Sequence, residues 1–230
     1  MKKVSIPFLW LAVTFCVCLI ISNIFVPRTW QVWGLPIQLT GGVVIFPVSY
    51  IINDCLTEVY GYRKSRLVIW MGFALAAFVA VMSQIVCLLP EPMYEDNREI
   101  AHSFNSLFQL VPRTTVASLL AYFFGSTANA WVMSKMKVAS KGKGFGWRAV
   151  LSSVVGELAD SVVFFPVVFF GVMPWIGILN IMLTQVLVKT LYEIVILPVT
   201  SRFVNYLKKL EGEDTYDWNI SYNPFKLRDI

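Results

Sequence analysis

Residues 46–66 read FPVSYIINDCLTEVYGYRKSR. An apolar run carries two acids, Asp54 and Glu58, deep within it and closes on three bases, Arg63, Lys64 and Arg66. Extended back to Gly41, it supplies the ~20 mostly apolar residues an α-helix needs to cross a bilayer, where every backbone group must find its partner inside the segment. The basic cluster marks a cytoplasmic end, because Lys and Arg are retained on that side. Composition agrees: 57% of the 230 residues are hydrophobic and 14% charged, where soluble domains carry about 25% charged residues.

Working outward, six spanning segments are expected, at about residues 7–26, 41–60, 67–89, 114–133, 149–172 and 176–200. The fold class is therefore all-α, a polytopic membrane protein with six transmembrane helices in residues 1–206 and a cytoplasmic C-terminal tail in residues 207–230. Lys2 and Lys3 precede the first segment as they would a signal peptide. Ser22 and Asn23, however, lead into bulky Ile24, Phe25 and Val26, not into a small-x-small cleavage site, so the segment reads as a retained helix. Of 19 Lys and Arg, 15 fall on one side of these segments and only Arg28, Arg98 and Arg113 on the other. That asymmetry puts both termini in the cytoplasm. It also accounts for the net charge of +5 without a polyanion, so no nucleic acid binding is expected.

The long external connection, residues 91–113, is acidic in its first half and places Ile100, Phe104, Leu107, Phe108 and Val111 at helical spacing in its second. It reads as an amphipathic helix lying in the outer interface, either a lid or a brace. His102, alone in that loop, reads as solvated. Cys16, Cys18, Cys55 and Cys87 sit in apolar runs with no CxxC or Cys/His spacing, so neither a disulfide framework nor a metal or other cofactor is expected.

Function is sought where the membrane rule is broken. A charge at the bilayer centre costs ~2.5–3.5 kcal/mol on insertion scales, so intramembrane charges face a protein interior or a watery cavity. Here there are six: Asp54 and Glu58 on the second helix, Glu157 and Asp160 on the fifth, Lys189 and Glu193 on the sixth. Separations of three or four residues place each pair on one helix face. Asn129 on the fourth helix, Gln185 one turn before Lys189, and Asn23 on the first add polar groups. Five acids against one lysine cannot all stay ionised in a low-dielectric interior; protons, a cation or a donor-rich ligand must offset them. Asp54, Glu58, Asn129, Glu157, Asp160, Gln185, Lys189 and Glu193 are therefore the expected substrate-binding residues of one cavity. Prolines in the Phe-Pro-Val steps at 46–48 and 165–167 fall in the outer half, above the acids, where a kink or unwinding would border such a site.

The stretch 46–66 is joined by Pro112-Arg113-Thr114 with Ala117-Ser118, by Gly156-Glu157-Leu158-Ala159-Asp160-Ser161, and by Lys189 with Tyr192 and Glu193 ahead of Leu197-Pro198. On these motifs the chain, from about Ser22 to Thr200, resembles the vitamin uptake transporter or queuosine precursor transporter family. The resemblance implies a six-helix importer of the bacterial inner membrane for 7-cyano- or 7-aminomethyl-7-deazaguanine. A carboxylate can accept two hydrogen bonds from the N1–H and 2-amino group of such a base, a second can pair with an aminomethyl ammonium, and aromatic faces can stack on the ring. The chain departs from the family pattern at Asn129, where members often carry Asp, and at Glu157, where others carry Asn.

A secondary transporter, including a proton-linked one, is the leading expectation. The alternative is the substrate-binding component of an energy-coupling-factor importer; the sequence has no Walker A motif, so ATP use would need partner subunits. An intramembrane enzyme is not expected, for the sequence has no GxGD, HExxH or GxSxG. The partners expected are the lipid bilayer, a purine-like small molecule and, as one option, further copies in a homo-oligomer; the small-xxx-small step of Ala76 and Ala80 could pack against a partner helix. The charge asymmetry makes a direct prediction: a reporter fused after Lys143 is cytoplasmic and one fused near Asp96 is external. The reverse assignment of these two reporters would overturn the six-span topology.

Overall fold

The computed structural model describes residues 5–25, 28–31, 38–109, 112–171, 174–212, 214–218, 220–221, 223 and 225–226. Lys2, Lys3 and Val111 lie outside the described residues. The helices are α1 (Ile6–Phe25), α2 (Phe46–Tyr60), α3 (Tyr62–Cys87), α4 (Glu95–Gln109), α5 (Pro112–Ala139), α6 (Phe145–Phe169) and α7 (Trp175–Glu211). Between α1 and α2 the chain forms a short antiparallel ribbon, β1 (Thr29–Gln31) with β2 (Gln38–Thr40), and a 3-10 turn at Gly41–Val44. The class is the all-α polytopic one read from the sequence, with this ribbon as an addition that hydropathy does not reveal.

Five helices, α1, α3, α5, α6 and α7, are long and apolar enough to cross a membrane. Helix α2 has 15 residues, about 22 Å at 1.5 Å each, short of the ~30 Å hydrocarbon core. The 3-10 turn before it adds about 8 Å. Pro47 occupies the first turn of α2, where its missing N–H leaves no hydrogen bond unmade.

Several boundaries differ from those read by hydropathy, and each shift has a local cause. Helix α3 starts at Tyr62, five residues early, because Gly61 alone turns the chain: at φ +86° it closes α2 and opens α3, a conformation L side chains avoid. Arg63, Lys64 and Arg66 are thus helical, not loop. Helix α5 runs on to Ala139 and α7 to Glu211, past the apolar stretch, because their last turns are held by ion pairs instead of lipid.

Helices α5 and α6 form the most extensive pair, α7 packs on α6 and α2, and α1 packs on α2 and α3. Phe15, Leu19, Leu56, Val59, Val68, Ile69 and Tyr122 make up much of the core between them. The outside is apolar: Ile6, Trp10, Val13 and Val17 form an exposed stripe on α1, and Leu183, Leu187, Leu191 and Val195 one on α7. Only a bilayer covers stripes of that length without cost. Ala76, by contrast, is buried within the chain, and with Ala80 it faces Ile20, Asn23 and Ile24 of α1 and Phe108 of α4 across a cleft. The small-xxx-small step thus borders an intrachain cleft.

The helix ends around Gly61 are locked by charge. Glu58 is fully buried, and its carboxylate accepts hydrogen bonds from both terminal guanidinium nitrogens of Arg148 from α6 and from Lys208 Nζ of α7 at 2.6 Å. Lys137 of α5 donates to the Glu58 carbonyl and reaches Asp214 Oδ1 at 2.5 Å. After α7 the chain folds back over this end. Asp217 accepts the Tyr62 N–H at 2.9 Å and the Ser134 hydroxyl, and Arg66 grips the carbonyls of Ser221 and Asn223 at 3.2 and 2.7 Å. Burial alone would raise the Asp214 carboxyl, but hydrogen bonds from Lys137 and Lys208, and their charges, outweigh it and hold it below the usual carboxylate range. The tail is therefore tied to the helical body through Asp214, Asp217, Ser221 and Asn223. Because removing one partner of a buried pair strands the other, Glu58→Gln should cost about 3–5 kcal/mol. It should depress the melting temperature in detergent markedly, whereas Arg202→Gln, at an exposed position, should leave it nearly unchanged.

Candidate functional site

The site is made possible by a close crossing of α5 and α6. A Cβ at Gly156 would stand 2.8 Å from Asn129 Cβ and 2.9 Å from the Gly125 carbonyl, and one at Gly125 would stand 2.8 Å from Asp160 Cβ. Two glycines therefore let the helix backbones touch, and the Tyr50 ring of α2 fills the angle beside them. This contact carries Glu157 and Asp160 past α5 to face α7. There Lys189 Nζ lies 2.6 Å from Glu157 Oε2 and 3.5 Å from Asp160 Oδ2, with all three side chains buried.

Asp160 and Lys189 open onto a cavity of about 50 Å³, room for several waters at the ~10–15 Å³ each requires. Gln185 of α7 and Ser22 and Asn23 of α1 supply its other side-chain polar groups, together with Ser118 of α5. Phe164 and Phe165 of α6 give it an aromatic side, and Gly42 and Val43 of the 3-10 turn complete it. The Gln185 Oε1 is buried and accepts no hydrogen bond. An acceptor left bare in a dry interior costs about 1–3 kcal/mol unless a ligand or water meets it.

A second polar cluster lies off the cavity. Asp54 of α2 is buried with neither carboxylate oxygen hydrogen-bonded, although Asn129 of α5 and Ser152 of α6 face it. Glu193 of α7 acts on it across the α2–α7 contact, and its own Oε1 is also bare. Asn129 donates to the Ser153 hydroxyl at 3.3 Å and keeps its Oδ1 free of any donor. Asp54, Glu157, Asp160 and Glu193 against Lys189 leave the two clusters together at a formal −3.

Of the eight residues expected to share one cavity, Asp160, Gln185 and Lys189 line it and Glu157 holds the lysine beside it. Asp54, Asn129 and Glu193 gather behind it. Glu58 is a correction: it does not join the acidic stripe, because Arg148 and Lys208 neutralise it at the helix ends around Gly61. Nothing in the chemistry of Ser118, Phe164, Phe165, Gly125 or Gly156 marks them individually as site residues. A signal was present for Tyr50, four residues before Asp54 and so on the same face, and for the glycines, where spanning helices meet. Among the described residues no group of three or more His, Cys, Asp and Glu could hold a metal. Helix α4 has the expected amphipathic face, with Phe104 and Phe108 in contact and the Phe108 carbonyl taking a hydrogen bond from Gln84 of α3. At the opposite end of the bundle Arg113 caps α6, donating to the carbonyls of Val167 and Phe170 at 2.6 and 2.9 Å.

Residues 40–203 match a protein family described as "Putative vitamin uptake transporter". That match contains the residues of both polar clusters except Ser22 and Asn23. A curated relative, the "Probable queuosine precursor transporter" of Bacillus subtilis (strain 168), is 30% identical over 178 residues, covering 77% of this chain and 76% of the relative. No solved structure matches the chain.

The crossing can be tested without any ligand. Gly156→Ala forces α5 and α6 apart against backbone and should cost about 1–3 kcal/mol as overpacking. Gly146→Ala meets only the end of the flexible Leu197 side chain, at 3.2 Å. Melting curves in detergent should therefore fall for the first and barely move for the second; equal curves would deny the close approach.

Proposed function

The chain belongs to the vitamin uptake transporter family, and on that premise we propose that it carries a queuosine precursor of the deazaguanine class into the cell. It is a multi-pass plasma-membrane transporter for a small molecule, not an enzyme. What carries the choice of solute is one observation: a carboxylate, a bare amide oxygen and two phenyl rings share the same intramembrane cavity.

The solute and the cavity are chemically complementary. A deazaguanine presents N1–H and a 2-amino group on one edge, and Asp160 can accept both, in the two-pronged manner that makes carboxylates strong partners. Gln185 Oε1 can take a further donor, which removes its desolvation cost. Phe164 and Phe165 offer faces for a flat ring. An aminomethyl ammonium on the solute would find Glu157 or Asp160 in competition with Lys189. The cavity is built from one chain, so a homo-oligomer would be an assembly of complete units. With α2 and its 3-10 turn counted as a crossing, the chain spans six times with both ends cytoplasmic.

The test is uptake of labelled deazaguanine by cells unable to make their own precursor, with and without this gene. Uptake should require the gene. Asp160→Asn should leave membrane insertion intact but lose one charge-assisted hydrogen bond, ~1.5–3 kcal/mol, or roughly tenfold to a hundredfold in affinity. Gene-independent uptake, or a wild-type rate in the Asp160 variant, would remove the solute or the site respectively.

A further inference from the structure

We propose that Asp54 and Glu193 form a proton-binding pair that couples solute entry to proton flow, at a site distinct from the solute cavity. The inference rests on the uptake reading above and deepens it by naming the coupling ion and the groups that bind it.

The two carboxyls come from α2 and α7, which pack on one another. Both are buried, 1% and 6% exposed, and neither lines the cavity that holds Asp160, Gln185 and Lys189. Both oxygens of Asp54, Oε1 of Glu193 and Oδ1 of the adjacent Asn129 have no hydrogen-bond partner. Among the described residues, the donors facing these four acceptors are the Asn129 amide and the hydroxyls of Ser152 and Ser153, and of these Asn129 already donates to Ser153 and Ser152 to the Ala149 carbonyl.

Nor does the protein provide a counter-charge. Lys189 is taken by Glu157 and Asp160. Arg148 and Lys208 are taken by Glu58, one turn below Asp54, and Lys137 by Asp214. Arg66 of α3 is held by the carbonyls of Ser221 and Asn223. Among the other titratable groups of these helices, Tyr50 and Cys55 of α2, Cys16 and Cys18 of α1, Tyr122 of α5, Glu157 and Asp160 of α6 and Tyr192 of α7 are not cationic, while Arg63 and Lys64 of α3, Arg113 and Lys135 of α5 and Arg202 and Lys209 of α7 lie six or more residues along the chain from Asp54, Asn129 and Glu193. Two carboxylates left ionised there would bear desolvation and mutual repulsion together, and neutralisation is the usual outcome for an unpaired buried charge. A proton on a carboxylate oxygen removes one negative charge and supplies the missing donor in the same step.

The surroundings suit a proton that comes and goes. An amide can accept the O–H of a carboxylic acid or donate N–H to a carboxylate, so Asn129 has a partner to offer in either state. Ser152 beside Asp54 and Ser153 beside Glu193 are hydroxyls with the same double capacity. In each cycle the pair takes a proton from outside and releases it to the cytoplasm, with no other bond changing.

Purified wild type, Asp54→Asn and Glu193→Gln decide the matter in two arms. The first needs no solute: infrared spectra at neutral pH should show the carbonyl stretch of a protonated carboxylic acid in the wild type, weakened in each variant. A wild type lacking that band, or both variants keeping it whole, overturns the proposal. In the second arm, liposomes containing the protein should accumulate labelled deazaguanine when an inward proton gradient is imposed. Each variant should lose at least about tenfold of that accumulation while binding the solute within about threefold of wild type. Accumulation driven by a sodium gradient alone, or undiminished proton-driven accumulation in both variants, also overturns it. If the wild type neither binds nor moves deazaguanine, the solute assignment falls, and the infrared arm still decides for or against the pair.

Discussion

A buried carboxylate with its charge fully answered, Glu58, aligns the helices on which the site depends. Arg148 reaches it from α6, Lys208 from α7, and Lys137 of α5 holds its backbone carbonyl. A buried ion pair adds little net stability compared with apolar packing, but it is costly to break, so it fixes register more than it strengthens the fold. Here the register matters. Asp54 stands one turn above Glu58 on α2, and Glu157 stands nine residues beyond Arg148 on α6, about 13 Å along the axis. Sliding α6 against α2 would strand the Glu58 charge, so the depth at which the upper acids sit is set from below.

With that anchor in place, the remaining buried acids divide by how they are compensated. Glu157 and Asp160 share Lys189, and of the two Asp160 faces the cavity while Glu157 takes the shorter contact. Lys189 is thereby kept within reach of solute without being free to leave. Asp54 and Glu193 have no cation among the described residues, and only amide and hydroxyl groups face them. One chain thus contains three regimes for a membrane carboxylate: neutralised for structure, half-neutralised beside a cavity, and left to external chemistry. A transporter needs the second and third to respond to solute and ion, and it needs the first not to respond at all.

Much of this was legible in the sequence, because the bilayer imposes simple rules. The apolar lengths located the helices, and i to i+3 and i+4 spacing placed Asp54, Glu157, Asp160, Lys189 and Glu193 toward the interior, where they are found. What spacing on single helices cannot show is which stripe meets which. Glu58 reads as a companion of Asp54, yet its partners lie 90 and 150 residues away, on helices whose ends look like ordinary basic loops. Arg148 and Lys137 belong by sequence to the fifteen charges that set orientation, while the fold buries both. The tail reads as a polar appendage, but Asp217 caps the first turn of α3 and Asp214 completes the lysine cluster. Gly125 and Gly156 matter only once α5 and α6 cross, a fact about two helices that neither sequence segment contains.

The outer border of the cavity follows from the same constraint that builds the bundle. Backbone groups at membrane depth tolerate departure from the α-helix only where protein or a watery cavity receives them. The departures here converge. The 3-10 turn at Gly41–Val44 contributes Gly42 and Val43 to the cavity wall, immediately before Pro47 opens α2. Across the cavity, Pro166 sits inside α6 directly after Phe164 and Phe165, which line it. Proline has no N–H, so Pro166 loosens the backbone one turn before it, while at the α2 end the departure comes from the 3-10 turn and not from Pro47. Broken or bent helix segments at mid-membrane are where transporters of other folds bind their cargo. In this chain the two interruptions flank one aromatic-walled cavity with an acid and a lysine at its base. The bilayer's rule is relaxed on both sides of the volume a solute would occupy, and nowhere along the regular, lipid-facing stretch of α1.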